Sequence, residues 1–208
     1  VSVHVLGEHE HDPVPQANSL TVAEGQTAEQ TDLDTGSNLL QGLTDADVAD
    51  RHTVNTTPLV GPSNGALSLS ADGTFSYVHD GSENFRDSFR YEVIDSTGNT
   101  GSAMVMITVT EVNDNDPVPQ ANSVAVSQGE SVTQSDLDTG ANLLQGLIDA
   151  DSGDTHSVNT TPVSRPSNGT LVLAANGTFS YTHDGTANLA DAFTFQAIDA
   201  GGNTGDAT

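Results

Sequence analysis

Ser63-Asn64-Gly65-Ala66-Leu67-Ser68-Leu69-Ser70-Ala71-Asp72-Gly73-Thr74-Phe75-Ser76-Tyr77 is the stretch that decides the fold. Leu67 and Leu69 share one face of a first extended run, and Phe75 and Tyr77 share one face of a second. Ala71-Asp72-Gly73 turns the chain between them. Period-two alternation broken at Asn-Gly and Asp-Gly is a hairpin signal, because such turns need residues that tolerate positive φ. Further along, Phe89, Tyr91 and Val93 alternate, a turn falls at Asp95 to Gly98, and Val105, Ile107 and Val109 mark another strand. No segment offers an apolar stripe of helical period. About seven short strands in roughly 100 residues predict an all-β, immunoglobulin-like Greek-key β-sandwich.

The same pattern occurs twice. Asp12 to Ser19 recurs as Asp116 to Ser123, and sliding residues 12–104 onto 116–208 gives 57 identities in 93 positions without a gap. The chain therefore reads as two tandem sandwich domains, one over 12–112 and one over 113–208. Residues 1–7 align with 105–111 at the same offset, so 1–11 reads as the last strand of a preceding repeat plus a linker. Thr208 matches Met104, which leaves the second repeat without most of its last strand. Excision from a longer array accounts for this. A sharper alternative is that residues 1–7 of a neighbouring chain supply the missing strand by strand addition.

Composition narrows the function. Twenty-nine acidic residues face four arginines and no lysine, for a formal net charge of −25. Such a chain cannot neutralise phosphates, which argues against nucleic acid and anionic membranes as partners. There is no cysteine, so disulfides, thiolate metal sites and thiol catalysis are excluded. No apolar run reaches membrane-spanning length. Leu, Ile, Val and Phe supply 46 of 208 residues, a thin core opposed by strong self-repulsion. Bound cations are the obvious additional support.

The acids are placed accordingly. The joint between the copies reads Glu111-Val112-Asn113-Asp114-Asn115-Asp116-Pro117, a poor packing segment and a good donor set for a hard cation. Calcium takes six to eight oxygens from carboxylates, side-chain amides and backbone carbonyls. Each copy adds an Asp-Ala-Asp loop, Asp45/Asp47 and Asp149/Asp151, trailed by Asp50 and Asp154. Asp95 and Asp199 close the strand before the final turn.

These motifs carry a resemblance. Glu111 followed by Asn113-Asp114-Asn115 resembles the acidic linker of cadherins, and Asp149-Ala150-Asp151 their aspartate pair. The unit as a whole, with GTFSY, DSFRYEVID and ITVTEVND in order, is more closely similar to the bacterial cadherin-like repeats (VCBS and tandem-95 types) of giant RTX adhesins. The resemblance implies calcium-stiffened extracellular extender modules whose partners are the adjacent repeats of the same chain. It also implies ligands from both repeats: Glu111 with Asp80, Glu83 and Asp87 from the first, Asn113, Asp114, Asn115 and Asp116 from the linker. The second repeat would give Asp149, Asp151, Asp199 and Asp154. Glu24 is a weaker candidate, because its counterpart is Gln128, and Ala187 stands where Glu83 does. Residues 7–12 depart from the linker pattern, which puts calcium at that joint in doubt.

Other signals weigh less. Asp34-Thr35-Gly36 and Asp138-Thr139-Gly140 match the aspartic-protease triplet, but that chemistry needs two carboxylates sharing one cleft. Asp-Thr-Gly is equally good turn chemistry. His9 and His11 could hold a transition metal but read more simply as an exposed strand end. His52/His156 and His79/His183 recur by position, which suggests a shared packing or loop role. Asn55-Thr56-Thr57 and Asn159-Thr160-Thr161 fit a glycosylation acceptor, of little weight if the source is bacterial, as the resemblance implies. A glycan- or cell-binding module is the alternative function, although only nine aromatic residues exist and most read as core.

Overall fold

The computed structural model describes residues 10–208, and the strand expected over residues 1–7 lies outside them. The chain divides after Val112 into two compact units. The first contains β1 (Asn18–Ala23), β2 (Thr27–Glu29), β3 (Thr53–Val54), β4 (Gly65–Leu69), β5 (Phe75–His79), β6 (Arg86–Ile94) and β7 (Thr100–Thr110). They form a four-stranded sheet in the order β1-β7-β6-β3 and a three-stranded sheet in the order β2-β5-β4. The hairpin read from the sequence is β4–β5, with Leu67 opposite Tyr77 and Leu69 opposite Phe75. Gly73 takes φ 85° at its turn, a conformation that side chains with a Cβ rarely adopt.

Alternation fills the space between the sheets. Phe89, Tyr91 and Val93 from β6 and Val105, Ile107 and Val109 from β7 are buried against Phe75 and Tyr77. The Phe75 and Phe89 rings meet at 5.5 Å and 60°, a tilted contact that aromatic quadrupoles favour. The Tyr91 hydroxyl donates to the carbonyls of Gln16 (2.7 Å) and Leu39 (3.2 Å), pinning the entry segment and a loop to the core. Long-range pairing completes the sheet: β1 runs parallel to β7, Asn18 beside Val105 through Ala23 beside Thr110.

The second unit repeats this plan with fewer strands. β8 (Ser131–Thr133), β9 (Ser157–Val158), β10 (Gly169–Leu173), β11 (Phe179–His183), β12 (Phe195–Ile198) and β13 (Thr204–Ala207) make two three-stranded sheets, β10-β11-β8 and β13-β12-β9. Seven strands were expected; among the described residues this unit has six. In the first unit β1 is paired along residues 105–110, and its counterpart at 122–127 forms no strand. The core thins in consequence. Val124, Val126 and Phe193 are only partly buried, whereas their counterparts Leu20, Val22 and Phe89 are buried.

Candidate metal centre

In each unit the two-acid loop is wound by its own first aspartate. Asp45 Oδ1 accepts the Asp47 N–H at 2.9 Å, and Asp149 Oδ1 accepts that of Asp151 at 3.1 Å. The other oxygen of each first aspartate meets a histidine Nε2 at 2.7 Å, His52 in one unit and His156 in the other. That hydrogen bond is the main reason the Asp45 carboxyl is held below its usual range. The recurrence of these histidines was legible in the sequence; their partner was not.

The second aspartate fastens the incoming chain. Asp151 accepts from Asn115 twice, from its backbone N–H at 2.8 Å and its side-chain amide at 3.1 Å. The first unit does the same with different residues, His11 N–H donating to Asp47 Oδ2 at 2.8 Å. Asn113 donates to Asp154 Oδ1 at 2.6 Å and accepts from Asn203 at 3.0 Å, and the Thr204 N–H reaches Asp116 Oδ1 at 3.3 Å. Three of the expected linker ligands, Asn113, Asn115 and Asp116, are therefore tied to the second unit, while Asp114 is exposed. His9 lies outside the described residues.

Asp95 and Asp199 sit at the mouth of the last turn. Asp95 Oδ1 accepts the N–H groups of Thr97, Gly98 and Asn99 at 2.7–2.9 Å, and the Asn99 amide reaches Oδ2 at 2.9 Å. Burial would push this carboxyl up, but the hydrogen bonds from Asn99 and Thr97 outweigh it and hold it at about 2. Asp199 is lowered in the same way: burial opposes, and donors from Asn203 and Gly202 prevail. Both groups stay charged at any ordinary pH.

The outcome is a convergence of carboxylates. One oxygen each from Asp151, Asp154 and Asp199 lie within 4.8 Å of one another, as do ligand atoms of Asp149, Asp154 and His156. Asp45, Asp50 and Asp95 form a group in the first unit, with Asp45 where the match to Asp151 would be Asp47. Asp151 and Asp199 are 4% and 6% exposed. Two like charges at about 4 Å repel by roughly 1 kcal/mol in bulk water and about 4 kcal/mol at a protein surface. Asp154 Oδ2 is shielded from solvent and has no hydrogen-bond partner. Oxygen-rich, anionic and carrying an orphaned acceptor, this donor set suits a hard divalent cation such as calcium better than a thiolate- or imidazole-seeking metal.

The opposite pole of the first unit behaves less uniformly. Glu111 follows β7, Glu24 is buried with Oε2 accepting the Val112 N–H at 3.4 Å, and Glu83 places a carboxylate oxygen within 4.8 Å of one of Glu24 and, in a separate group, of one of Glu111. Asp80 instead closes its own turn, accepting from Ser82 N–H and Oγ at 3.0 and 2.6 Å. Asp87 is a strut: it accepts from the N–H groups of Ser63, Asn64 and Ser88 at 2.8–2.9 Å and from the Tyr77 hydroxyl at 2.9 Å. Among the described residues neither Asp80 nor Asp87 joins a group of three potential ligands. In the second unit Gln128 replaces Glu24, and its amide is spent on the carbonyls of Gly185 and Thr186.

The Asp-Thr-Gly triplets are turn devices. Asp34 accepts from Ser19 N–H and Oγ, both at 2.8 Å, and Asp138 from Ser123 at 2.9 and 2.6 Å. Thr35 and Thr139 donate to Asn18 and Asn122. Each carboxylate is engaged within its own unit.

Comparison with known proteins agrees with this geometry. Residues 10–111 match the family model of the bacterial cadherin-like domain, and residues 113–208 that of the bacterial Ig domain. Among solved structures, Drosophila N-cadherin EC1-4 is 18% identical with a TM-score of 0.53, over 94% of this chain and 48% of that one. Human CDH23 EC21-23 is 16% identical with a TM-score of 0.54, over 98% and 65%. Mouse Cadherin-23 EC22-24 is 18% identical with a TM-score of 0.53, over 95% and 66%. At these identities the likeness shows the fold. The chain spans about half the length of the Drosophila chain it matches. No curated protein matches it. Among the described residues no helix is long and apolar enough to cross a membrane. The first unit thus matches a bacterial cadherin-like domain and the second a bacterial Ig domain, domain types of the non-enzymatic, extracellular adhesion kind.

Proposed function

We propose that the chain is a calcium-rigidified extender module of a large secreted or cell-surface bacterial adhesin, a spacer that projects a distal binding region away from the cell. The observation that carries this reading is the knot at Asp151, Asp154 and Asp199, where converging carboxylates also grip the linker amides of Asn113 and Asn115. A bound calcium supplies the positive charge that those carboxylates lack. Asp151, Asp154 and Asp199 would hold it, with Asp149 kept in place by His156. Asp45, Asp50 and Asp95 offer a further set of three carboxylates in the first unit. Holding residues 113–116 against such a pole removes the linker freedom that lets two sandwiches swing.

Extracellular modules bind calcium with dissociation constants on the order of 10⁻⁴–10⁻³ M. The low calcium inside a cell then leaves the chain loose, and the exterior stiffens it. Ions that bind only the folded state stabilise it by mass action, roughly 1.4 kcal/mol per ion at a tenfold excess over the dissociation constant. Calorimetric melts with calcium and with chelator test the reading. The melting temperature should fall by several degrees in chelator; superimposable melts would overturn it.

A further inference from the structure

His183 closes β11 with its side chain buried. Its Nδ1 receives two backbone N–H groups, from Gly129 at 3.3 Å and from Gly185 at 3.0 Å. Its Nε2 meets the Asn188 carbonyl at 3.0 Å. A carbonyl only accepts and a backbone N–H only donates, so the ring proton sits on Nε2 and the imidazole is neutral. Both donor glycines hold positive φ, 78° and 82°, a conformation that residues with a Cβ rarely adopt. The first unit repeats the cradle: His79 Nδ1 accepts from Gly25 at 3.3 Å and from Gly81 at 3.2 Å. The arrangement persists although Gln128 stands for Glu24 and Ala187 for Glu83, so it does not depend on the acids around it. One imidazole thereby ties the turn at 127–130, which leads into β8, to the loop that leaves β11. Gln128 joins the same two segments through the carbonyls of Gly185 and Thr186.

We propose that His183 is an acid-sensitive latch, whose neutral ring holds this turn and loop together and whose protonation releases them. A second proton can enter only at Nδ1. There it fills the lone pair that Gly129 and Gly185 share and sets one N–H against two others. The surrounding ionisable groups offer it little compensation. Asp184 Oδ1 lies 3.8 Å from Nδ1, beyond hydrogen-bond reach, and accepts the Thr186 N–H at 2.9 Å instead. Asp191 is engaged by the Tyr181 hydroxyl and the N–H groups of Ser167 and Asn168. Glu130 is exposed and meets His183 through its backbone carbonyl, which accepts the His183 N–H at 3.0 Å. The neutral ring is the bound form, so the latch is closed above the ordinary imidazole range and opens as pH falls through it.

The test uses the 208-residue chain in millimolar calcium. Long-range proton–nitrogen spectra of the imidazoles at about pH 7.5 should show His183 as the Nε2–H tautomer. Amide hydrogen exchange, corrected for the intrinsic rate at each pH, should show protection at Gly129 and Gly185 falling at least about tenfold between about pH 7.5 and about pH 5. Amides of the β10–β11 ladder should keep theirs. His183→Asn places an oxygen acceptor near the position of Nδ1 and cannot titrate, so its two glycine amides should be equally protected at both pH values. An Nδ1–H tautomer, or glycine protection that is unchanged at about pH 5, overturns the inference. So does a ladder that loses protection in parallel, which would mean global unfolding rather than a local release. The parent spectra decide the matter alone if His183→Asn does not fold; a folded variant that still loses protection in acid assigns the effect to another group and overturns it too.

Discussion

Asp87 separates a structural carboxylate from a calcium ligand, and its replacement is the sharpest single perturbation. The carboxylate receives three backbone N–H groups and the hydroxyl of Tyr77, a side chain buried at 0% exposure. Ser63 is exposed, so water can replace the lost bond there, but the Tyr77 hydroxyl has no such recourse in the core beyond the Asn64 carbonyl at 3.1 Å. Hydrogen bonds to a charged acceptor contribute about 1.5–3 kcal/mol each, and re-solvation recovers part of the exposed ones. Asp87→Ala should therefore cost the first unit about 3 kcal/mol, which lowers its melting temperature by roughly 10–20 °C for a domain of this size. Asp87→Asn, which keeps the shape and one acceptor, should cost less. Calorimetry in both calcium and chelator reads the distinction, because a strut costs the same in either. A penalty present in calcium and absent in chelator would refute the assignment and return Asp87 to the ligand set. The pH dependence adds a check. Burial pushes this carboxyl up, but its donors prevail and hold it below 3.8 in the fold. Its contribution is thus fully present above that value and lost as pH falls through the lowered one. The gap between parent and Asp87→Asn melts should hold at neutral pH and shrink at pH values below about 4.

The remaining expectations follow from single contacts. A Cβ at Gly101 would lie 1.7 Å from the Pro13 carbonyl oxygen, so Gly101→Ala should destabilise the first unit by about 1–3 kcal/mol. Gly61 has open space and no positive φ, and Gly61→Ala should be neutral or stabilising by about 0.5 kcal/mol, a urea titration of both variants reading the contrast. Phe195 stands where the first unit has Tyr91, and Phe195→Tyr should stabilise the second unit by about 1 kcal/mol by donating to the Gln120 or Leu143 carbonyl. A melt no higher than the parent's would show that those carbonyls are not positioned to accept. Asp199→Asn should reduce calcium affinity measured by isothermal calorimetry while leaving the chelator melt within a few degrees of the parent.

Local features of the sequence carried most of the fold. The β4–β5 hairpin is set by Asn64-Gly65, Asp72-Gly73 and four alternating apolar residues, so neighbours in sequence suffice to read it. The parallel pairing of β1 with β7 joins residues 87 positions apart and leaves no local trace. Residues 122–127 form no strand, and their residue types do not reveal it. At the site, the sequence singles out the Asp-Ala-Asp loops, Asp95 and Asp199, and of these Asp45, Asp95, Asp149, Asp151 and Asp199 each fall in a group of three potential ligands. Asp87 looked the same in one dimension, and only the convergence of Ser63, Asn64 and Tyr77 distinguishes it. Glu24 reads as a weaker candidate because its counterpart is a glutamine, yet it is the most buried acid at its pole. His52 and His156 were noticed by recurrence alone, since an aspartate seven residues upstream is not a signal until the loop folds back.

Small-angle X-ray scattering of the chain at low concentration, in millimolar calcium and in chelator, tests the central claim most directly. The account predicts that chelation broadens the distance distribution, as the linker at 113–116 loses its hold, and that restoring calcium reverses the change. Identical profiles in the two conditions would contradict an ion-stiffened joint.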